Sequence, residues 1–223
     1  MLFRIKSRKL NSPGVQYYFI ILQAIVIATY VMENHPLNNI VFSKNVVEFV
    51  TVGVQFCSFL ETFNDETTAT LTDKLTKIFP LLYLKSAMLP DIEMEYDIFP
   101  EVTVTEENYN YIVSRLYAVY KSNDTYLEVF LEDMKYSDTP ISASISEDVA
   151  DIYQDIKNFV SVYEQGIEDN MYEVLASCQE NFKQYWGQKL VNVLRALHSI
   201  KYSLNVEPED DNESNSDNED DLW

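Results

Sequence analysis

Glycine is scarce in this chain, with four in 223 residues. That nearly excludes glycine-rich phosphate loops and dinucleotide fingerprints, which need bare backbone against the ligand. It also argues against barrels and sandwiches, which spend glycine on many tight turns. Histidine and cysteine number two each. Cys57 and Cys178 lie far apart among apolar residues, and with His35 and His198 they form no zinc-ligand spacing. They read as two reduced core thiols. No CxxC, HExxH or GxSxG motif is present. Bases are few as well: 16 Lys and Arg against 36 Asp and Glu, for a net charge of −20. Such a chain repels nucleic-acid backbones and anionic lipid, so direct binding to nucleic acid is not expected.

What is present is apolar, aromatic and helical in spacing. Hydrophobic residues make up 47%, and tyrosine alone contributes 16 residues. Residues 43–63 carry Val46, Phe49, Val50, Gly53, Phe56, Cys57, Leu60 and Phe63 at steps of three and four, with Ser43 as a helix N-cap. Residues 70–89 repeat the pattern, with Pro80 inside; a kink or a split near Ile78 is expected there. Residues 89–104 read as a long loop. Thr105, followed by Glu106 and Glu107, starts a third helix. A short amphipathic helix over about 125–134 follows, through Tyr126, Leu127, Phe130 and Met134.

Ser144 with Glu147 fits a reciprocal capping box, opening a helix over 145–165 that Gly166 closes. The last helix, about 168–204, is the longest. Gly187 in its middle costs about 1 kcal/mol relative to Ala, which suggests a close helix approach or a break. The expected fold is all-α, one domain over 38–204, a bundle of five or six helices. Residues 205–223 carry nine acids and no base, and a disordered acidic tail is expected.

The front of the chain is different. Residues 1–31 hold four bases and no acid, and 10–32 hold no charge at all. With nine acids in the tail, the stretch between carries −15. The dense apolar part of the front, 17–32, is 16 residues long, short of the roughly 20 that span a bilayer. The preferred expectation is a start assigned upstream of a true first residue at Met32, because the helices from 43 onward look complete without it. The alternatives are a membrane anchor over 15–32 or an uncleaved signal, and a packed helix. The preferred location is cytoplasmic, and membrane-anchored if the anchor is real.

Two polar constellations stand out. Asp148, Asp151 and Asp155, at i, i+3 and i+7, align three carboxylates on one helix face. Such a row can bind a hard cation or be the wet face of an acidic protein. Tyr185, Trp186, Gln188, Lys189, Asn192, Arg195 and His198 mix aromatics with donors on the last helix. Charge complementarity lets the two meet, Asp151 or Asp155 against Lys189 or Arg195. No catalytic residue, metal ligand or cofactor follows; His198 reads as a structural histidine.

The stretches DMKYSDTPISASISEDVADIYQDIKNFVSVYEQG and ENFKQYWGQKLVNVLRALH, and the opening NNIVFSKNVVEFVTV, resemble an uncharacterised family of all-helical bacterial proteins, a domain of unknown function. The resemblance spans about Asn38 to Ser199. It implies a cytoplasmic helical protein with no assigned activity. Two functional readings remain. One is an interaction or scaffold protein with an acidic helical surface and a protein partner, for which the charge favours a basic one. The other is a small-molecule or metal-binding protein, even an enzyme, with its site between helices 145–165 and 168–204.

Overall fold

Each helix buries one face, and three of them begin where a side chain satisfies their first amides. The computed structural model describes residues 40–92, 102–128 and 141–203. The expectations for the N-terminal extension and the acidic tail, and the middle of the 89–104 loop, lie outside those residues. A 3-10 turn, Ile40–Phe42, leads into α1, Lys44–Thr62. Ser43 holds the N-cap position in extended backbone, but its hydroxyl makes no capping bond. α2, Thr68–Ala87, starts earlier than the spacing predicts, because Thr67 and Thr70 cap it reciprocally. Pro80 does not split it. Pro80 stands on the exposed face, where neighbouring helices need not accommodate the ring.

α3, Glu106–Tyr120, is capped by Thr105, whose hydroxyl accepts from the amide of Asn108. Past it the expected short helix over 125–134 is not formed at its start. Thr125–Leu127 is a strand, β1, paired antiparallel with β2, Ser142–Ser144. Phe130 and Met134 lie outside the described residues. The pairing partner is fifteen or more residues away in sequence, so local spacing could not reveal it.

α4, Ile145–Tyr163, is the hub, meeting α1, α3 and both parts of the last helix. Ser144 supplies its half of the capping box at 3.4 Å. The stronger cap comes from Asp124, a buried carboxylate that accepts from the Ser146 amide at 2.8 Å and from the hydroxyls of Ser144 and Ser146. A carboxylate at a helix N-terminus is favoured by both hydrogen bonding and the helix dipole. On the α1 side, Gly53 lets the helices close: a Cβ there would stand 3.0 Å from Ile156 Cγ2. Gly166, at φ +71°, ends the segment in the left-handed region that glycine adopts without strain.

The last helix runs as one body over 168–203 with a change of winding inside it. α5 is Glu168–Asn181, a π-helical turn occupies Phe182–Trp186, and α6 is Gly187–Ser203. Gly187 donates its amide to the Phe182 carbonyl, five residues back. A Cβ at Gly187 would lie 2.3 Å from that oxygen and 2.9 Å from the Phe182 ring. The close approach that the glycine serves is therefore to its own preceding turn, not to another helix. The wider turn rotates Trp186 fully into the core, alongside Phe49, Phe56, Phe79 and Phe159. Among the described residues no helix is long and apolar enough to cross a membrane.

Candidate functional site

The carboxylate row on α4 faces the last helix. Asp148, near the α4 N-terminus, is only 4% exposed. Lys189, in the first turn of α6, reaches two of the three acids: its Nζ is 2.5 Å from Asp148 Oδ1 and 2.9 Å from Asp151 Oδ2. Three phenols complete the arrangement. Tyr126 on β1 donates to Asp148 Oδ2. Tyr109 on α3 donates to Asp151 Oδ1 at 2.8 Å, and Tyr185 in the π-turn donates to Asp151 Oδ2 at 2.9 Å. One ammonium and two carboxylates thus join α3, β1, α4 and the last helix.

The electrostatics follow from that geometry. Burial alone would lower the pKa of Lys189, but its bonds to Asp148 and Asp151, and their charges, more than offset this and raise it. Tyr109, Tyr126 and Tyr185 are all raised, first by burial and then by donating to a carboxylate. The phenols stay protonated and act as donors. The hard cation that an aligned carboxylate row invites is, for Asp148 and Asp151, the lysine ammonium itself. Among the described residues, no group of three or more His, Cys, Asp and Glu side chains is placed to hold a metal ion.

Asp155, the third of the row, is set apart. It accepts a bond from Asn181 Nδ2 at 2.7 Å. Burial pushes its carboxyl up to about 6, against the lowering effect of the Asn181 bond; the charge of Asp151 adds to the rise. Burial thus moves the Asp155 carboxyl toward the range of acid–base chemistry.

The remaining sequence candidates do not converge. Trp186 is wholly buried; its indole donates to the Cys178 carbonyl at 3.3 Å and its ring packs on Phe182 at 4.7 Å between centroids. Arg195 does not meet the acids: it donates to the Leu127 carbonyl at 2.8 Å and so holds β1. His198 is exposed, its ring 4.5 Å from that of Tyr202. The π-turn explains part of this, since it shifts every residue after Trp186 off the register that an unbroken α-helix would have. Gln188 donates to buried Asn192, which reaches Glu128 at 3.4 Å.

The residues that build this network and the helices that carry it fall within one known family. The family described as a domain of unknown function, DUF5063, matches residues 40–203. The chain belongs to that family. A crystal structure of protein BF1032 from Bacteroides fragilis is similar to this chain at 49% identity, with a TM-score of 0.65, over 74% of this chain and 96% of that one. No curated protein matches the chain. The all-helical bacterial family that the quoted stretches resemble is thus shown. All of the polar network described above lies inside the DUF5063 match.

Several structural residues escape the sequence reading. Tyr126 reads there as the packing face of a short helix and Tyr109 carries no signal, yet both phenols end on the α4 carboxylates. Asn158 receives the amides of Thr103 and Val104 and the Thr103 hydroxyl, pinning the chain ahead of α3 to α4. Arg115 donates to the carbonyls of Leu60 and Glu61, closing the C-terminus of α1, with its guanidinium 4.1 Å from the Phe63 ring centroid. A local signal exists only for Arg115, the lone base of α3.

Proposed function

We propose that this DUF5063 domain is a non-enzymatic docking module, and that the outer face of α2 is its contact surface. The observation that supports it is an exposed apolar stripe. Leu81, Leu84 and Met88, at i, i+3 and i+7, are 44%, 52% and 43% exposed, while the opposite face buries Leu71, Leu75, Phe79 and Leu82 completely. A helix on the outside of a bundle normally shows one apolar face; a second one gains free energy only when a partner covers it. The candidate polar site supports the same reading from the other side. Its lysine, two of its carboxylates and three phenols answer one another, an arrangement that locks four elements together.

The test is a photoreactive residue in place of Leu84 in the full chain, compared with the same residue at exposed Tyr111 on α3. Adducts to a second polypeptide from position 84 and not from position 111 are expected. Equal or absent adducts at the two positions overturn the assignment of α2. The interaction partner is a protein under this reading, and the location proposed for it is cytoplasmic.

A further inference from the structure

Resting on the docking role of α2, we infer that the partner on its outer face is a second copy of this chain, the two α2 helices packed antiparallel across a two-fold axis at Leu84. Three observations converge on it. The first is the order of sizes along the stripe. Pro80, Leu81, Leu84, Ala87 and Met88 are all exposed, and they stand four and three residues before Leu84 and three and four after it. A two-fold axis at Leu84 sets each residue against the one equally far on the other side, so contacts between the copies are reciprocal. Leu81 of one copy then meets Ala87 of the other, Met88 meets Pro80, and Leu84 meets itself. In both unlike pairs a long side chain faces a small residue. Ridges seat in grooves along the whole stripe, and the helix axes can close to about 8–10 Å.

The second is charge. The chain carries −20, so most of its surface repels a second copy. Residues 74–90 contain no acid. α6, which lies beside α2 through the Lys201 bonds to Asp73 at 3.1 Å and Thr76 at 3.2 Å, contains none either. α3 and α5, by contrast, open on exposed acids, Glu106 and Glu107 in one and Glu168 and Asp169 in the other. The lysines of α2 do not make its face basic, because each is answered within its own copy: Lys74 by Glu66, Lys77 by Asp73 at 2.6 Å and Lys85 by Glu48 at 2.7 Å. A face of paired charges and apolar side chains offers no net charge for a strongly acidic or strongly basic partner to match. It is the face on which two acidic chains approach with least repulsion.

The third is size. α2 has 20 residues, which makes a rod about 30 Å long and about 10 Å wide. A single pair of such helices buries less than the roughly 800 Å² per partner of a standard interface. The dimer is accordingly weak, dissociating in the micromolar range or above, and monomer and dimer exchange. An apolar stripe of this modest extent is compatible with both states.

Sedimentation equilibrium of the full chain, from about 5 to about 500 μM, tests this. The mass is expected to climb from monomer toward dimer and no further, since a two-fold contact closes on itself. Leu84→Asp sets two carboxylates against each other on the axis and should weaken association by at least about tenfold. Its unfolding transition should match that of the wild type, because position 84 is exposed. The register is read by Leu81→Glu and Ala87→Lys. Each alone should weaken the dimer, and the two in one chain should restore it, because the axis brings those positions together only between copies. A chain still monomeric at the highest concentration, a dimer that Leu84→Asp leaves unchanged, or a double variant no tighter than the singles overturns the inference. The docking reading is judged separately, by the adducts from position 84. Adducts to an unrelated polypeptide from a chain that stays monomeric sink the second copy and keep the surface. Adducts no different from those at position 111, with a dimer indifferent to Leu84→Asp, sink both.

Discussion

Replacing Asp155 with Asn should stabilise the protein at pH 8, and the gain should disappear in acid. In the fold this carboxyl holds its proton up to about 6, against a reference of 3.8. Burial is the main cause, with the charge of Asp151 adding to it and the Asn181 bond opposing it. A shift of about two units corresponds to roughly 3 kcal/mol, and partial exposure of the side chain trims that through solvent screening. The sign is unfavourable to the fold at high pH. Between about 3.8 and 6 the folded state binds more protons at this site than the unfolded chain does, so stability falls as pH rises through that window. Above it the cost is constant; below it the cost is gone. The amide introduced by Asp155→Asn carries no charge, and its carbonyl can still accept from Asn181. The expected gain is about 1–3 kcal/mol at pH 8, or roughly 3–9 °C in melting temperature for a chain of this size. Urea unfolding of both proteins at pH 4, 5, 6, 7 and 8 reads the difference directly, and carboxylates elsewhere cancel between them. A variant less stable than wild type at pH 8, or a difference that does not change with pH, refutes the reasoning.

Lys189→Met keeps the aliphatic stem and removes the cation that Asp148 and Asp151 share. A loss of about 3–5 kcal/mol is expected at pH 7 in urea unfolding, because both carboxylates are left without their cation. A normal melt would mean that the network contributes nothing to stability. Gly187→Ala inverts the usual rule. In an ordinary helix interior the change stabilises by about 1 kcal/mol, but here the new Cβ meets the Phe182 carbonyl and ring, and a loss of about 1–3 kcal/mol is expected. Any gain in thermal stability would show that the π-turn is absent in solution.

Local spacing reveals the helices because each is a one-dimensional pattern that burial imposes every three or four residues. Val46, Phe49, Val50, Phe56 and Leu60 are legible as one face before any neighbour is known, and all five are buried. Thr105 is legible as a cap because its partner amide is three residues on. The candidate site is legible in part. The i, i+3, i+7 acids and Lys189 can be paired by charge, but Tyr109 and Tyr126, on α3 and β1, carry no local mark that distinguishes them from packing tyrosines. Trp186, Arg195 and His198 group with Lys189 on the last helix by sequence; the structure sends each to a different neighbour.

The sequence by itself determined that this is an acidic helical domain, where most of its helices start, and the main buried face of helices such as α1, since those depend on contacts within one or two turns. Tertiary structure alone decided the rest. The β1–β2 pair needs two segments that are distant in sequence to meet, and local preference cannot encode their register. The π-turn at Phe182–Trp186 follows from packing that rotates Trp186 inward, not from the preference of any residue in it. The apolar stripe of α2 is the same case: Leu81, Leu84 and Met88 have the composition of a core face, and only the placement of the other helices leaves them outside.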